Sequence, residues 1–224
     1  MSNLSQRKKR WFQRHVSDCY VLRSKNDSFV SRSAYKLLDL QRQIKLIKPN
    51  MTILELGAAP GGWSQVVLSA LNGTGRLISV DLLPLKVAPS ENFSFLKMDI
   101  LESNFTSALA SKSGLKSIDL LLSDVAPNIT GIGIVDAANG IRLTEKIIQI
   151  AQEFLTRKGR MLMKIFHNEL YSECSEALKK RFKETKTIKP EASRASSREV
   201  YKLCSLLTCR PDFNSNERIY GGLS

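Results

Sequence analysis

The chain is poor in cysteine and histidine, and it has no long apolar run. Its 224 residues include four cysteines and two histidines. No CxxC pair of a zinc or redox site occurs among Cys19, Cys174, Cys204 and Cys209, so we expect reduced thiols and no bound metal. No stretch approaches the roughly 18 apolar residues of a membrane helix, and no apolar signal-peptide core follows the basic N-terminus. The sequence therefore predicts a cytoplasmic globular protein.

Basic residues exceed acidic ones by 13, and the excess is concentrated in two segments. Residues 1–36 contain nine Lys/Arg and two acidic residues, whereas residues 179–202 contain nine and three. A positive charge confined to two places favours contact with a polyanion such as a nucleic acid. A solvated basic face without a partner and an anionic membrane surface are the alternatives at this point.

Helical and strand patterns alternate along most of the chain. The predicted helices are Ser31–Lys48, Trp63–Leu71, Ala137–Thr156 and Leu170–Phe182, with Gly159 expected to end the third. The predicted strands are Met51–Leu56, Arg76–Val80, Phe93–Leu96, Ile118–Ser123, Arg160–Phe166, Thr185–Ile188 and Val200–Leu206. This alternation predicts an α/β fold with a doubly wound, mostly parallel seven-stranded sheet. The last two strands have no helix between them, which predicts a terminal antiparallel hairpin.

A Gly-rich loop follows the first predicted strand, and an acidic residue follows each of the next two. The loop reads GAAPGG from Gly57 to Gly62, and Asp81 comes 24 residues after Gly57. Ligands bind at the carboxyl ends of parallel strands, and an acid about 20 residues past such a loop commonly binds ribose hydroxyls. The loop lacks the GxGxxG pattern of a pyrophosphate site, so we expect an adenosine-containing ligand without phosphates. Asp99 is a candidate acceptor for an adenine amino group, although each acid taken singly also fits helix capping.

Two charged side chains lie at the ends of the fourth and fifth predicted strands. Asp124 directly follows Ile118–Ser123, and Lys164 lies among apolar residues in Arg160–Phe166. A lysine in such surroundings is costly unless it is paired or functional, so an ion pair and a catalytic amine are both open. A hydroxyl nucleophile needs its proton removed, and a neutral lysine amine is able to accept it.

Six short stretches of the sequence resemble one enzyme family. They are SRSAYKL, LELGAAPGGWSQ, SVDLLP, SDVAPN, MKIF and SREVY, within about residues 11–206. On these motifs the chain resembles the FtsJ-like RNA ribose 2′-O-methyltransferases, especially the bacterial members that methylate a uridine of 23S ribosomal RNA. The string PGGWSQ is much more specific than a lone Gly-rich loop. One departure is Glu55, where the bacterial members usually have Asp.

The resemblance implies a Rossmann-like methyltransferase fold, S-adenosylmethionine as cofactor, and a monomer that acts on ribosomal RNA of the large (50S) subunit. It also implies a catalytic tetrad of Lys36, Asp124, Lys164 and Glu199. Lys164 would be the proton acceptor, Lys36 and Glu199 would position the hydroxyl, and Asp124 would lie beside the methyl donor. Cofactor contacts are implied for Gly57, Gly61, Gly62, Trp63, Asp81, Asp99 and Asp124.

The resemblance implies that the two basic segments bind the RNA substrate. Residues 7–36 and 179–198 would clamp phosphates that flank the target nucleotide. Trp11, Phe12 and Tyr201 are candidates for base stacking, although core packing is the favoured role for each. The expected organisation is an RNA-binding segment over residues 1–30, a methyltransferase domain over residues 31–206, and a tail over residues 207–224.

Three other functions compete with this interpretation. A nicotinamide oxidoreductase would need a better GxGxxG loop and has no use for the basic segments. A base methyltransferase would need a nucleophilic cysteine after proline or an NPPY-like motif, and SDVAPN supplies no stacking aromatic. A non-catalytic RNA-binding protein of ribosome assembly would retain the fold but have no need of Lys164.

Overall fold

The computed structural model describes residues 27–127, 130–166, 171–194 and 197–208. The expectations for the basic residues before Asp27, for Trp11 and Phe12, and for the tail after Thr208 lie outside the described residues. The division of the chain into segment, domain and tail therefore stays a prediction.

Seven strands and five helices make up the described part of the chain. The strands are β1 (Thr52–Leu56), β2 (Arg76–Asp81), β3 (Phe93–Lys97), β4 (Ile118–Ser123), β5 (Leu155–Phe166), β6 (Phe182–Ile188) and β7 (Glu199–Leu207). The helices are α1 (Ser33–Ile44), α2 (Gly62–Leu71), α3 (Phe105–Ser113), α4 (Gly133–Phe154) and α5 (Tyr171–Lys179).

The strands form one sheet in the order β3-β2-β1-β4-β5-β7-β6. The first five pair in parallel, and β7 lies antiparallel to both β5 and β6. The predicted α/β class, the mostly parallel seven-stranded sheet and the terminal hairpin are confirmed. Because β1 lies between β2 and β4, the order of the strands reverses there, and a ligand site is expected at the carboxyl ends of these strands.

Two apolar layers cover the faces of the sheet. On one face, α1 and α2 pack Leu37, Val67 and their neighbours against strand residues such as Ile53. On the other, α3, α4 and α5 pack residues such as Phe105 and Ile147 against the sheet. Each fully buried aliphatic side chain contributes about 1.5–3 kcal/mol to stability. These layers fix the strands, and with them the side chains that project from the strand ends.

Several element boundaries differ from the prediction; for example, β6 begins at Phe182, which the sequence predicted to be the end of a helix. Helix α1 covers Ser33–Ile44 rather than Ser31–Lys48. It ends there because Lys45 adopts a left-handed conformation and because the Gln41 side chain donates to the Ile47 carbonyl and accepts from the Ile47 N–H. Helix α3 was not predicted. Helix α4 starts at Gly133 and ends at Phe154, so Gly159 does not end it. Gly159 lies instead in β5, in an irregular stretch where the register against β4 shifts.

Two expectations from composition concern thiols and membranes. Cys174 and Cys204 are free and buried, as expected of structural thiols. Within the described ranges, no helix combines the length and apolar character needed to cross a bilayer.

Candidate active site

A cavity of about 320 Å³ opens at the carboxyl edge of the sheet, where the strand order reverses. The ends of β1, β2, β3 and β4 form its floor, and the second and third turns of α4 form one wall. Its lining residues are Gly57, Val80, Asp81, Leu82, Met98, Asp99, Ile100, Leu101, Val125, Ala126, Pro127, Asn139, Arg142 and Leu143.

Gly57 allows the loop after β1 to run against the loop after β4. Its φ is +76°, and a Cβ atom built on it would lie 2.8 Å from the backbone nitrogen of Val125. Its own N–H donates to the Val80 carbonyl at 2.9 Å. Only glycine meets both the conformational and the steric requirement here, and its backbone is exposed to the cavity as a result.

Two carboxylates face the cavity from neighbouring strand ends. Asp81 accepts hydrogen bonds from the N–H groups of Ala59 and Leu83, both at 2.8 Å, and so ties the Gly-rich loop to the end of β2. Asp99 accepts from the N–H of Leu101 at 2.9 Å. Carboxylate oxygens accept more than one hydrogen bond, so both acids retain acceptor capacity towards hydroxyl or amino groups of a ligand.

Gly61, Gly62 and Trp63 lie at the start of α2 and do not line this cavity. Gly61 has a φ of +114° and a Cβ atom there would collide with Val87. The Trp63 side chain is only 2% exposed, and its indole N–H donates to the Ser33 carbonyl at 2.9 Å. A ligand would therefore contact these residues through the main-chain N–H groups of the helix start, which lack partners within the helix.

Four charged side chains form two ion pairs beside the cavity. The Lys164 Nζ lies 3.1 Å from Asp124 Oδ1 and donates to the Asp124 carbonyl oxygen at 2.6 Å. The Lys36 Nζ lies 2.6 Å from Glu199 Oε1. The side-chain exposures of the four residues are between 8% and 16%, so the charges are largely removed from water yet remain reachable.

The two ion pairs are neighbours because β5 and β7 pair in antiparallel register. Lys164 lies opposite Tyr201, and Phe166 lies opposite Glu199. The Tyr201 hydroxyl donates to Asp124 Oδ1 at 2.8 Å, which links β7 to the end of β4. The structure thus brings the four predicted tetrad residues together.

The electrostatics of Glu199 follow from this arrangement. Burial alone would raise the pKa of its carboxyl group, but the hydrogen bond and charge of Lys36 outweigh burial. A hydrogen bond from Ser193 and the charge of Lys164 act in the same direction, and the pKa is lowered overall. Glu199 is therefore ionised at neutral pH and holds Lys36 in place.

Tyr201 and Ser193 belong to this cluster, and the sequence did not single them out as members. Tyr201 is fully buried against Trp63, with ring centroids 5.6 Å apart, so core packing rather than base stacking is confirmed for it. Burial, followed by the charges of Asp124 and Glu199, raises the pKa of its hydroxyl. Strand periodicity was the available signal, because Glu199 and Tyr201 are two apart and face the same side of β7.

Asn139 and Arg142 are polar cavity residues that no motif indicated. Both come from α4, whose helical periodicity marks its core face but carries no information about which polar residue reaches the strand ends.

The mostly parallel sheet, the reversal of strand order and the cavity at the carboxyl edge are those of the α/β proteins that bind ligands at strand ends, and comparison with known proteins identifies the family. The model of the FtsJ-like methyltransferase family matches residues 29–206. The chain therefore belongs to the FtsJ-like methyltransferase family.

Relatives and solved structures agree with this assignment. A protein of Dichelobacter nodosus named ribosomal RNA large subunit methyltransferase E is 43% identical over 87% of this chain and 92% of its own length. A protein of the same name from Legionella pneumophila strain Paris is 38% identical over 90% and 97%. A ribosomal RNA methyltransferase structure from Plasmodium falciparum aligns with a TM-score of 0.69 and 28% identity, over 80% of this chain and 98% of that one.

Proposed function

We propose that this chain transfers a methyl group from S-adenosylmethionine to the ribose 2′-hydroxyl of a uridine in 23S ribosomal RNA, with Lys164 as the general base. The observation that carries the proposal is the Lys164–Asp124 ion pair, which lies next to the Lys36–Glu199 pair and beside an acidic cavity. The same proposal has the chain act as a monomer in the cytoplasm on RNA of the 50S subunit.

The cavity suits the nucleoside part of S-adenosylmethionine. Asp81 offers acceptors for ribose hydroxyls, and Asp99 offers one for an adenine amino group. The exposed Leu82 and Leu101 supply apolar walls for a base. Backbone at Gly57 allows close approach, and the N–H groups at the start of α2 suit a ligand carboxylate. Fibrillarin of Aeropyrum pernix, which aligns at a TM-score of 0.56 and 18% identity over 78% of this chain, was solved with bound S-adenosylmethionine.

The residues of the tetrad have separate tasks in this proposal. S-adenosylmethionine, when bound, supplies a methyl group activated by a sulfonium centre. Lys164 Nζ in its neutral form accepts the proton of the ribose hydroxyl, and Asp124 holds the amine through its carboxylate and carbonyl oxygens. The Lys36–Glu199 pair orients the hydroxyl. Holding the reacting groups in line at short range supplies much of the rate enhancement.

The relatives support ribosomal RNA as the substrate. The relatives from Dichelobacter nodosus and Legionella pneumophila are both named ribosomal RNA large subunit methyltransferase E. The charge of this chain fits an RNA substrate, since its excess of 13 basic residues favours a polyanion. The 2′-hydroxyl exists in RNA and not in DNA, so the proposed reaction excludes DNA.

The test uses large ribosomal subunits from cells that lack the gene for this chain. The subunits are incubated with the protein and tritiated S-adenosylmethionine, and the labelled nucleotide is mapped. A 2′-O-methyl group makes the adjoining phosphodiester resistant to alkali, because the neighbouring hydroxyl is blocked. Label in an alkali-sensitive nucleotide would mean base methylation, and absence of label would favour a non-catalytic assembly protein.

Lys164→Ala is the variant that tests the base. We expect its turnover to fall by at least about 100-fold, since a positioned general base contributes 10²–10⁴-fold. Cofactor affinity by calorimetry should stay near wild type. Lys97→Ala, which removes an exposed lysine from β3, is the matched control and should keep full turnover. Near-wild-type turnover of Lys164→Ala would rule out Lys164 as the base.

A further inference from the structure

Three exposed apolar side chains lie at the start of α4 and are named the apolar tip here: Ile132, Ile134 and Val135. Their exposures are 61%, 84% and 40%. A contiguous exposed apolar patch on a protein surface often marks an interaction site. The segment Thr130–Val135 carries no charge.

The apolar tip is held in place by Asp136. Its carboxylate accepts hydrogen bonds from the Thr130 N–H at 2.6 Å, the Thr130 hydroxyl at 2.7 Å and the Gly131 N–H at 3.0 Å. The Thr130 hydroxyl in turn accepts from the Ile132 N–H at 3.2 Å. A segment fixed by this many bonds presents its side chains in one arrangement, which reduces the entropy lost when a partner binds.

The apolar tip stands beside the proposed base. Ala137 and Gly140, from the next turns of α4, line a small cavity of about 30 Å³ together with Lys164, Phe166 and Pro127. Ile134 and Val135 precede Ala137 by less than one turn, at the end of the helix that lies at the carboxyl edge of the sheet. The start of α4, which carries the apolar tip, therefore lies near Lys164 at the carboxyl edge of the sheet.

We propose that the apolar tip inserts against the nucleobases next to the target nucleotide and unstacks them, so that the ribose reaches Lys164. This inference rests on the proposed function, and it adds a mechanism by which the ribose of a stacked nucleotide becomes accessible to Lys164. The faces of the bases are the apolar surface that an RNA offers. The aliphatic side chains of the apolar tip can form neither a hydrogen bond nor an ion pair with a phosphate. Aliphatic wedges of this type unstack base steps in other nucleic-acid complexes. The cost of unstacking is lowest where the nucleotide is already free of neighbours.

The test compares one folded and one unfolded substrate. The first is a folded ribosomal RNA fragment centred on the nucleotide that the subunit assay identifies, and the second is a short single-stranded oligonucleotide with the same local sequence. The variant is the double substitution Ile132→Ser and Ile134→Ser. Serine is favoured at the helix N-cap position that Ile132 occupies, so we expect the variant to fold. Leu206→Ser is the control, because Leu206 is 44% exposed at the opposite edge of the sheet.

We expect the double variant to lose about tenfold or more in kcat/KM on the folded fragment and to stay within about twofold on the oligonucleotide. A 2-aminopurine placed beside the target should brighten when the wild type binds and not when the variant binds. Ile132→Leu with Ile134→Leu should restore both signals, and Leu206→Ser should match the wild type on both substrates.

Two results would overturn the inference. Equal losses on both substrates would mean that the apolar tip does not act by unstacking. A loss confined to whole subunits, with the folded fragment unaffected, would mean that the apolar tip binds a ribosomal protein instead. Failure of the proposed function is distinguishable, because it would appear as absence of ribose methylation by the wild type itself.

Discussion

Glu55 is a buried carboxyl group beneath the candidate site. It is 1% exposed, and its Oε2 accepts hydrogen bonds from the Ser64 and Ser79 hydroxyls, both at 2.6 Å. Burial, with smaller contributions from the charges of Asp124 and Asp81, raises its pKa from 4.5 to about 7 despite the two serine bonds. The folded protein therefore holds this proton more tightly than the unfolded chain does.

This difference makes the stability of the fold depend on pH. Because the folded pKa of Glu55 is the higher one, its contribution is complete below about pH 4.5 and is lost as the pH rises through about 7. The shift corresponds to roughly 3 kcal/mol. We expect the free energy of unfolding from urea titrations to fall between pH 5 and pH 8, a window in which few other groups titrate because the chain has two histidines.

Glu55→Gln should flatten this profile. The amide oxygen still accepts from the serines, whereas no proton is released as the pH rises. Glu102→Gln, at an exposed position on the surface, should keep the wild-type slope. A Glu55→Gln profile as steep as the wild type would show that another group causes the pH dependence.

At the scale of elements, the Gly-rich loop between β1 and α2 forms part of the cavity. Comparing an alanine substitution at Gly57, in this loop, with one at Gly73 distinguishes the cost of a positive φ from the cost of a steric collision. Gly57 and Gly73 have the same φ of +76°. A Cβ atom at Gly73 would meet nothing within 4 Å, whereas one at Gly57 would collide with the Val125 backbone. The two alanine variants therefore share a conformational penalty of about 1–2 kcal/mol and differ in the collision.

We expect Gly57→Ala to lower the free energy of unfolding by clearly more than Gly73→Ala and to weaken S-adenosylmethionine binding. The collision must push the loop after β4, including Val125 and Ala126, into or away from the cavity. Thermal unfolding and calorimetry with S-adenosylmethionine measure the two effects. Equal destabilisation of both variants, with cofactor affinity unchanged, would contradict a role for close approach at Gly57.

The elements themselves were largely predictable because strands that are buried on both faces are short, apolar and followed by turns. Helix α3 escaped prediction since its nine residues bury only Phe105, Leu109 and Ser113, too few for a clear helical period. The start of α4 was placed too late because Gly131 and Gly133 indicate a turn. The structure shows why the helix begins at Gly133: the Asp136 carboxylate accepts hydrogen bonds from the N–H groups of Thr130 and Gly131, which precede it.

The candidate site was predictable to a different degree for each residue. Asp81, Asp99 and Asp124 follow strands, so the rule that ligands bind at strand ends predicted their positions. Lys36 and Glu199 come from a helix and from an antiparallel strand, and neither has a local signal that separates it from a solvated charge. Their pairing depends on how α1 packs against the sheet beside β7, which only the family resemblance anticipated.

At the scale of the whole molecule, the distribution of charge decides where RNA can lie. The loop between β6 and β7 is at the carboxyl edge, and its exposed Lys189 and Arg198 flank the strand that carries Glu199. The exposed Lys112 and Lys116 lie at the amino edge, between the end of α3 and the start of β4. Each of these two pairs contributes two positive charges, so the net charge of the protein cannot distinguish their roles in RNA binding.

RNA affinity measured against salt separates the two pairs. Each phosphate contact contributes about 0.7–0.9 to the slope of log affinity against log salt concentration, because counterions are released on binding. Lys189→Gln with Arg198→Gln should reduce the slope by about 1.5, whereas Lys112→Gln with Lys116→Gln should leave it unchanged. The measurement is binding to a ribosomal RNA fragment at several salt concentrations. Equal reductions in both variants would mean that RNA senses only the net charge, and the carboxyl edge would then have no special place in binding.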